Sequence, residues 1–175
     1  MDAAPFVFGA FLGYLWCFTR CWIKAPSGRQ RFNVLGALNA ITYEVITVTH
    51  LTDINAESVC QLLRKLAALG LQVPSTLVLD NARYQRCALL QSVADTLGIE
   101  LLYLPAYSPN LNLIERLWKF VKKQCLYSKY YTDFSAFTCA IEDCLVHTQT
   151  MYKPVLSSLL TLNFQSFKKA QSLTI

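Results

Sequence analysis

Asp80 closes the apolar run Thr76-Leu77-Val78-Leu79, and Glu115 opens a basic stretch just after Leu104-Pro105-Ala106-Tyr107-Ser108-Pro109-Asn110-Leu111-Asn112. Two carboxylates so placed could share divalent metal ions. Magnesium takes hard oxygen ligands, and a pair of such ions can clamp the attacking and leaving oxygens of a phosphodiester during in-line displacement. Two acids alone seldom suffice. Asp2 is the third candidate ligand, at the amino end, where a folded sheet would bring it beside the other two. Asp80 and Glu115 also have ordinary structural explanations, because Asp-Asn after a strand is a common turn and a glutamate in a first helical turn favours the helix dipole.

The elements that must position these groups follow from apolar periodicity. From Phe6 to Ile23 aromatic and branched residues dominate, Ser27-Gly28-Arg29-Gln30 signals a turn, and Phe32 to Leu38 follows, which predicts successive antiparallel strands. Glu44 to Thr49 alternates β-branched with polar residues and predicts a third. Val59, Leu62, Leu63, Leu66 and Leu69 recur at helical intervals, with Asn55 as N-cap and Gly70 just past the end. Ser75 to Leu79 reads as an apolar strand, Gln85 to Leu97 as a helix ended by Gly98, and Glu100 to Leu104 as a strand. Strand, helix, strand implies a parallel pair, and in open α/β sheets ligands gather at the carboxyl ends of strands, where Asp80 sits. The Pro- and Asn-rich segment 105–112 is an ordered loop that delivers the chain to a helix. There Ile114, Leu117, Trp118 and Val121 form an apolar stripe, while Glu115, Lys119, Lys122 and Lys123 mark another side. A final helix covers Phe134 to Thr148, and the tail after Lys153 is expected to be peripheral.

With 175 residues, 54% of them hydrophobic, the chain is of one-domain size and long enough to bury a substantial core, which argues against disorder. Sixteen Lys and Arg against eleven Asp and Glu give a net charge of +5, and the cations cluster whereas the acids are scattered singly along the chain. Arg83, Arg86, Arg116, Lys119, Lys122, Lys123 and Lys129 flank the candidate site, a distribution that suits phosphate backbone contacts. Taken alone, the basic helix is also an ordinary solvated face. Seven cysteines form an odd set without a secretory leader, which points to reduced thiols in a cytoplasmic compartment. Neither Cys17-x-x-x-Cys21 nor Cys139-x-x-x-x-Cys144-x-x-His147 has the short paired spacing of a zinc knuckle. The uncharged segment Ala3 to Phe18 is too short to span a membrane and contains Pro5, Gly9 and Gly13, so it reads as core strand material. No glycine loop of the phosphate-cradling kind occurs, which disfavours an unrelated nucleotide-binding domain.

The stretches Leu79-Asp80-Asn81-Ala82 and Leu104-Pro105-x-Tyr107-Ser108-Pro109-x-Leu111-Asn112-x-Ile114-Glu115-x-x-Trp118-x-x-x-Lys122 resemble the DDE transposases of bacterial insertion sequences in the mariner superfamily. The likeness covers Asp2 to about Asp143 and is strongest from Leu77 to Lys122. It implies a ribonuclease H-like mixed α/β sheet, three antiparallel strands then parallel strands, flanked by helices. The catalytic domain would occupy 1–150, with its first strand truncated, and 151–175 would be a peripheral tail. The resemblance implies that Asp2, Asp80 and Glu115 are catalytic and hold two Mg2+ or Mn2+ ions for DNA strand cleavage and transfer. Arg83, Arg116, Lys119, Lys122 and Lys123 would contact DNA, with Asn81 orienting a metal ligand or its loop and Tyr107 approaching a nucleobase. No protein nucleophile is needed, so His50 and His147 are read as structural. The implied partners are transposon ends and target DNA, with a homodimer compatible with the pairing of two ends, no membrane, and a bacterial cytoplasmic location.

Two departures matter. Pro5 stands where such sequences commonly carry the histidine of Asp-x-x-His, and the chain begins one residue before Asp2, so the first strand is expected to fray. No helix-turn-helix region stands ahead of Met1, so specific binding of element ends is not expected. The alternative to an active strand transferase is an inactive truncated remnant that only binds DNA or a full-length partner.

Overall fold

The computed structural model describes residues 1–9, 17–20, 22, 30–70, 75–105 and 108–164. Strand β1 (Asp2–Val7) pairs antiparallel with β2 (Arg31–Leu38), which pairs antiparallel on its other side with β3 (Val45–His50). The Phe8 amide donates to the Gln30 carbonyl at 2.9 Å, which sets the alternation along β1. Asp2, Ala4 and Phe6 turn their backbone groups to β2, and the missing N–H of Pro5 points outward, where the ladder needs none. The first strand therefore starts at Asp2, where the resemblance puts it, and ahead of Phe6, where apolar periodicity begins. An aromatic-rich run looked more strand-like than Ala-Ala-Pro, but pairing with β2 decides. The strand ends at Val7, Phe8 and Gly9 lie in a turn with Gly9 at φ 83°, and most of the remaining run to Ile23 lies outside the described residues. The expected fraying is corrected as well: Asp2 is paired with Gly36 and buried.

Helix α1 (Ala56–Ala67) begins with a reciprocal cap, in which the Asn55 carboxamide accepts from the Ser58 amide at 3.0 Å and the Ser58 hydroxyl oxygen accepts from the Asn55 amide at 3.4 Å. Its stripe of Val59, Leu62 and Leu63 is fully buried against Leu35, Ala37 and Val48 of β2 and β3. Strand β4 (Ser75–Leu79) and β5 (Ile99–Tyr103) form the parallel pair, with α2 (Ala88–Leu97) between them in sequence. Gly98 ends α2 in the left-handed region at φ 66°. The helix starts later than Gln85 because Arg83–Gln85 forms a separate 3-10 turn.

The expected single mixed sheet is met as two pieces, an antiparallel three-stranded sheet and the parallel pair. Between β1 and β4 one backbone bond is formed, from the Met1 amino nitrogen to the Val78 carbonyl at 2.7 Å. One bond cannot extend a ladder, and the next carbonyl, that of Met1, is taken by the Asn112 side chain instead.

On the opposite face from α1 lie α3 (Ile114–Cys125) and α4 (Phe134–Val146), with Ile114, Leu117, Trp118 and Val121 packed on Ala4, Phe6, Phe32 and Val34. Both faces are covered, which is why the central strands read as near-continuous apolar runs. The tail is not peripheral where it is described. Helix α5 (Lys153–Leu159) buries Leu156, and Leu160 follows it into the same core, so 151–164 belongs to the domain. Among the described residues no helix is long and apolar enough to cross a membrane.

Candidate active site

Three local devices bring the acids together. Asp2 shares a strand face with Ala4 and Phe6, the face that α3 covers, by the two-residue period of β1. The Asn112 amide group donates to the Met1 carbonyl at 3.1 Å from a buried position, and the Glu115 amide donates to the Asn112 carbonyl at 3.1 Å. Asn112 thereby ties the head of β1 to the first turn of α3 and holds Glu115 beside Asp2. Asp80 follows β4, whose last strand carbonyl, on Leu79, accepts from Leu104 at 2.8 Å. After it Asn81 turns the chain at φ 76°, a conformation that asparagine tolerates better than most residues. Fully buried Gln85 closes this loop by accepting from the Ala82 amide at 3.2 Å, while its own carbonyl accepts from the Tyr103 hydroxyl at 2.8 Å.

The packing of α3 depends on an absent side chain. Gly36 stands opposite Asp2 in the β1–β2 register, and a Cβ there would lie 2.8 Å from Cη2 and 2.9 Å from Cζ2 of Trp118. The indole also meets the Phe6 ring edge-on at 6.4 Å between centroids. Trp118 is a core residue, one helical turn beyond Glu115.

The electrostatics of the cluster are lopsided. Burial pushes the Asp2 carboxyl up to about 7, and the nearby charges of Glu115 and then Asp80 push it further the same way, against the hydrogen bond from the Ala3 backbone. Burial also raises the Tyr84 hydroxyl, with Asp80 and Asp2 adding to it. The ion pairs among the described residues are Arg64–Glu57 and His147–Asp143, so none neutralises the three acids. The buried Met1 ammonium, itself pushed down to about 6 by burial, draws Asp2 back only slightly. Hard oxygen donors that one such ammonium does not neutralise suit a divalent ion chemically. The geometry is open, however: among the described residues no three acidic, histidine or cysteine side chains already stand within reach of one ion.

The cations divide. Arg83, Lys119 and Lys123 are exposed, whereas the Lys122 ammonium lies over the Phe6 ring at 5.8 Å. Arg116 corrects the expectation of a DNA contact, because its guanidinium donates to the carbonyls of Leu159, Thr161 and Asn163 at 3.4, 2.7 and 2.9 Å and lies over the Phe164 ring. It fastens the chain after α5 to α3. Tyr107 lies outside the described residues. Reading the sequence missed the roles of Gly36, Gln85 and Asn112; of these only Asn112 stood inside one of the two stretches that carry the family pattern.

A family model described as DDE superfamily endonuclease matches residues 18–138, more than two thirds of the chain. The chain belongs to the DDE superfamily endonucleases. The matched region contains Asp80 and Glu115, and Asp2 precedes it. Known structures share the fold of this DDE endonuclease domain. A simian T-cell lymphotropic virus intasome in complex with the PP2A regulatory subunit B56 gamma is 16% identical, with a TM-score of 0.60, over 99% of this chain and 58% of that one. The Mos1 mariner paired-end complex with Mn is 13% identical, with a TM-score of 0.58, over 95% of this chain and 56% of that one. The catalytic core domain of BIV integrase is 18% identical, with a TM-score of 0.53, over 74% of this chain and 88% of that one. The chain thus spans a little over half the length of the first two. No curated protein matches it. The ribonuclease H-like architecture of integrase and transposase cores agrees with the mixed α/β order expected from the sequence.

Proposed function

We propose that this DDE endonuclease domain is the catalytic part of an insertion-sequence transposase that cleaves and transfers DNA strands in the bacterial cytoplasm. The observation that carries the reading is the burial of Asp2 beside Glu115 and Asp80 with no ion pair among the described residues to neutralise them. Asp2, Asp80 and Glu115 would hold Mg2+ or Mn2+, which supplies activation of the attacking hydroxyl and stabilisation of the departing 3′ oxygen. Asp2 keeps a carboxylate on the sheet, Glu115 supplies one from the first turn of α3, and Asp80 brings one from the end of β4. Gln85 and Asn81 shape the Asp80 loop, and Asn112 fixes the distance between strand and helix. Lys119, Lys123 and Arg83 would run along the DNA backbone, with Lys122 nearer the core, and pairing of two transposon ends would take a homodimer.

A second reading, a catalytically inactive remnant that binds DNA or a full-length partner, is favoured by the open spacing of the acids. Nicking of supercoiled DNA in Mn2+ or Mg2+ separates the two. The active reading expects nicking that falls at least about a hundredfold in Asp80→Asn and Glu115→Gln, the scale of losing a group that stabilises the transition state. It also expects calorimetric heats of Mn2+ binding that vanish in both variants. Wild type no better than the variants, together with absent heats, would leave the remnant reading.

Arg116 and the exposed lysines are separable in the same preparation. Arg116→Ala is expected to lower stability by about 1–2 kcal/mol through loss of charged hydrogen bonds, with the salt dependence of DNA binding unchanged. Each of Lys119→Ala and Lys123→Ala should reduce the logarithmic salt slope by roughly 1 and leave stability nearly unaltered. A salt slope that drops in Arg116→Ala but not in the lysine variants would reverse the assignment.

A further inference from the structure

We propose that Tyr127 and Tyr130, in the turn after α3, form a stacking platform for unpaired bases of a single DNA strand that runs back along α3 to Glu115. Residues four apart make a continuous ridge on a helix surface. On α3 that ridge is Glu115, Lys119 and Lys123, and its next step is Tyr127, which the helical backbone of the cap residue Leu126 keeps one turn beyond Lys123. Lys119, Lys123 and Tyr127 are exposed, and Glu115 is half-buried. From Glu115 to Tyr127 is about 18 Å at the rise of a helix, and a stacked strand advances about 3.4 Å per nucleotide, so the rings stand roughly five nucleotides from the reacting phosphate.

The chain around the two rings is anchored while the rings themselves reach solvent. Leu126 before them is buried, and Tyr131 after them meets Phe137 edge-on at 5.6 Å between centroids and donates its hydroxyl to the Cys125 carbonyl at 2.8 Å. Within the turn the Lys129 amide donates to the Leu126 carbonyl at 3.5 Å, and Ser128 takes φ 55°. Tyr127 and Tyr130 are nevertheless 54% and 48% exposed, with Lys129 exposed between them. A backbone fixed in advance leaves little ordering for binding to impose.

The surrounding chemistry selects a polyanion with flat apolar faces. From Arg116 to Thr132 the chain carries five cations and no acid. Between Leu102 and Val146 the two tyrosines are the exposed large hydrophobics among the described residues, so this surface offers a protein partner no aliphatic knob. Rings interleaved with lysines work on single strands because the cations follow the backbone while each base lays its face on an aromatic side chain. A duplex keeps its bases stacked inside and meets only the lysines. The platform rests on the strand-transfer reading for its direction, since that reading puts the reacting phosphate at Glu115.

The test is DNA binding by the intact chain in EDTA, where no strand is cut. It is read by the fluorescence anisotropy of a labelled oligothymidylate of about ten nucleotides, within the usual size of such sites, and of a blunt duplex of the same length. Tyr127→Leu and Tyr130→Leu are each expected to weaken single-strand binding roughly 5- to 100-fold, the effect of losing one base stack, with duplex binding changed less than about twofold. Their Tm should match wild type, and Tyr127→Trp should bind the single strand at least as well as wild type does. Unchanged single-strand affinity in both leucine variants overturns the proposal, and so does an equal loss on the duplex. A dimer that sediments as such in wild type and is abolished in the leucine variants, with DNA affinity intact, would instead assign the rings to a contact between copies. Nicking in Mn2+ is read separately: a chain that nicks DNA but binds single strands equally well without either ring loses the platform alone. One that cannot nick, yet loses single-strand affinity in Tyr127→Leu, keeps the platform and favours the remnant reading.

Discussion

Asp2→Asn should make the metal-free protein more stable at pH 8, against the usual direction for a buried substitution. In the folded state the Asp2 carboxyl titrates at about 7, raised from 3.8 by burial and by the charges of Glu115 and Asp80. The neutral form is the one the fold favours. Its stabilising contribution is fully present below the unfolded value, is lost progressively as pH rises from about 4 to about 7, and is absent above that. Each pKa unit corresponds to about 1.4 kcal/mol, so the difference between wild type and Asp2→Asn should open by roughly 2–4 kcal/mol between pH 4 and pH 8. Urea melts at the two pH values measure it directly. Equal pH dependence in wild type and variant would mean that Asp2 is not held among uncompensated acids. Mn2+ should have the opposite selectivity at pH 8, stabilising wild type by about 2.7 kcal/mol at a hundred times its Kd and leaving the variant nearly unmoved.

The second large effect comes from the position opposite Asp2. Gly36→Val places a branched side chain where even a Cβ would come within 2.8 Å of the Trp118 ring, and Trp118 is only 2% exposed and cannot step aside. Overpacking of this kind costs about 1–3 kcal/mol, equivalent to a fall in Tm of roughly 3–10 °C for a chain of this size. Displacement of α3 also carries Glu115 away from Asp2, so the Mn2+ stabilisation should disappear together with the lost Tm. A Gly36→Val protein that melts like wild type and still responds to Mn2+ would show that Gly36 does not set the seat of α3.

Much of this was readable in the sequence, for physical reasons that differ by element. The stripe Val59, Leu62, Leu63 between Asn55 and Gly70 specifies α1 from local information alone, and its reciprocal cap forms as residue type predicts. β4 and α2 were likewise legible because each carries its own stop signal, Asp80 and Gly98, and β5 because it is an apolar run between Gly98 and Pro105. Asp80 and Glu115 could be picked out because their neighbours carry a family pattern. β1 was legible through the resemblance, which puts Asp2 on the first strand, and not through propensity, because nothing in Ala3-Ala4-Pro5 favours a strand; six successive pairings with β2 impose it. The role of Arg116 was hidden for a similar reason. Its acceptors are main-chain carbonyls more than forty residues away, which leave no trace in side-chain identity. The burial of Leu156 and Leu160 depends on that same return of the chain to α3.

The division of the strands into two sheets gives the site a mechanical character. Asp2 and Glu115 ride on the antiparallel sheet and the helix packed on it, while Asp80 rides on the parallel pair, and a single main-chain bond joins β1 to β4. Segments with few cross-links open as cooperative units at less cost than the whole fold. An ion held by all three acids would act as a rivet across that seam, so that loading the site and locking the two halves of the domain together become one event.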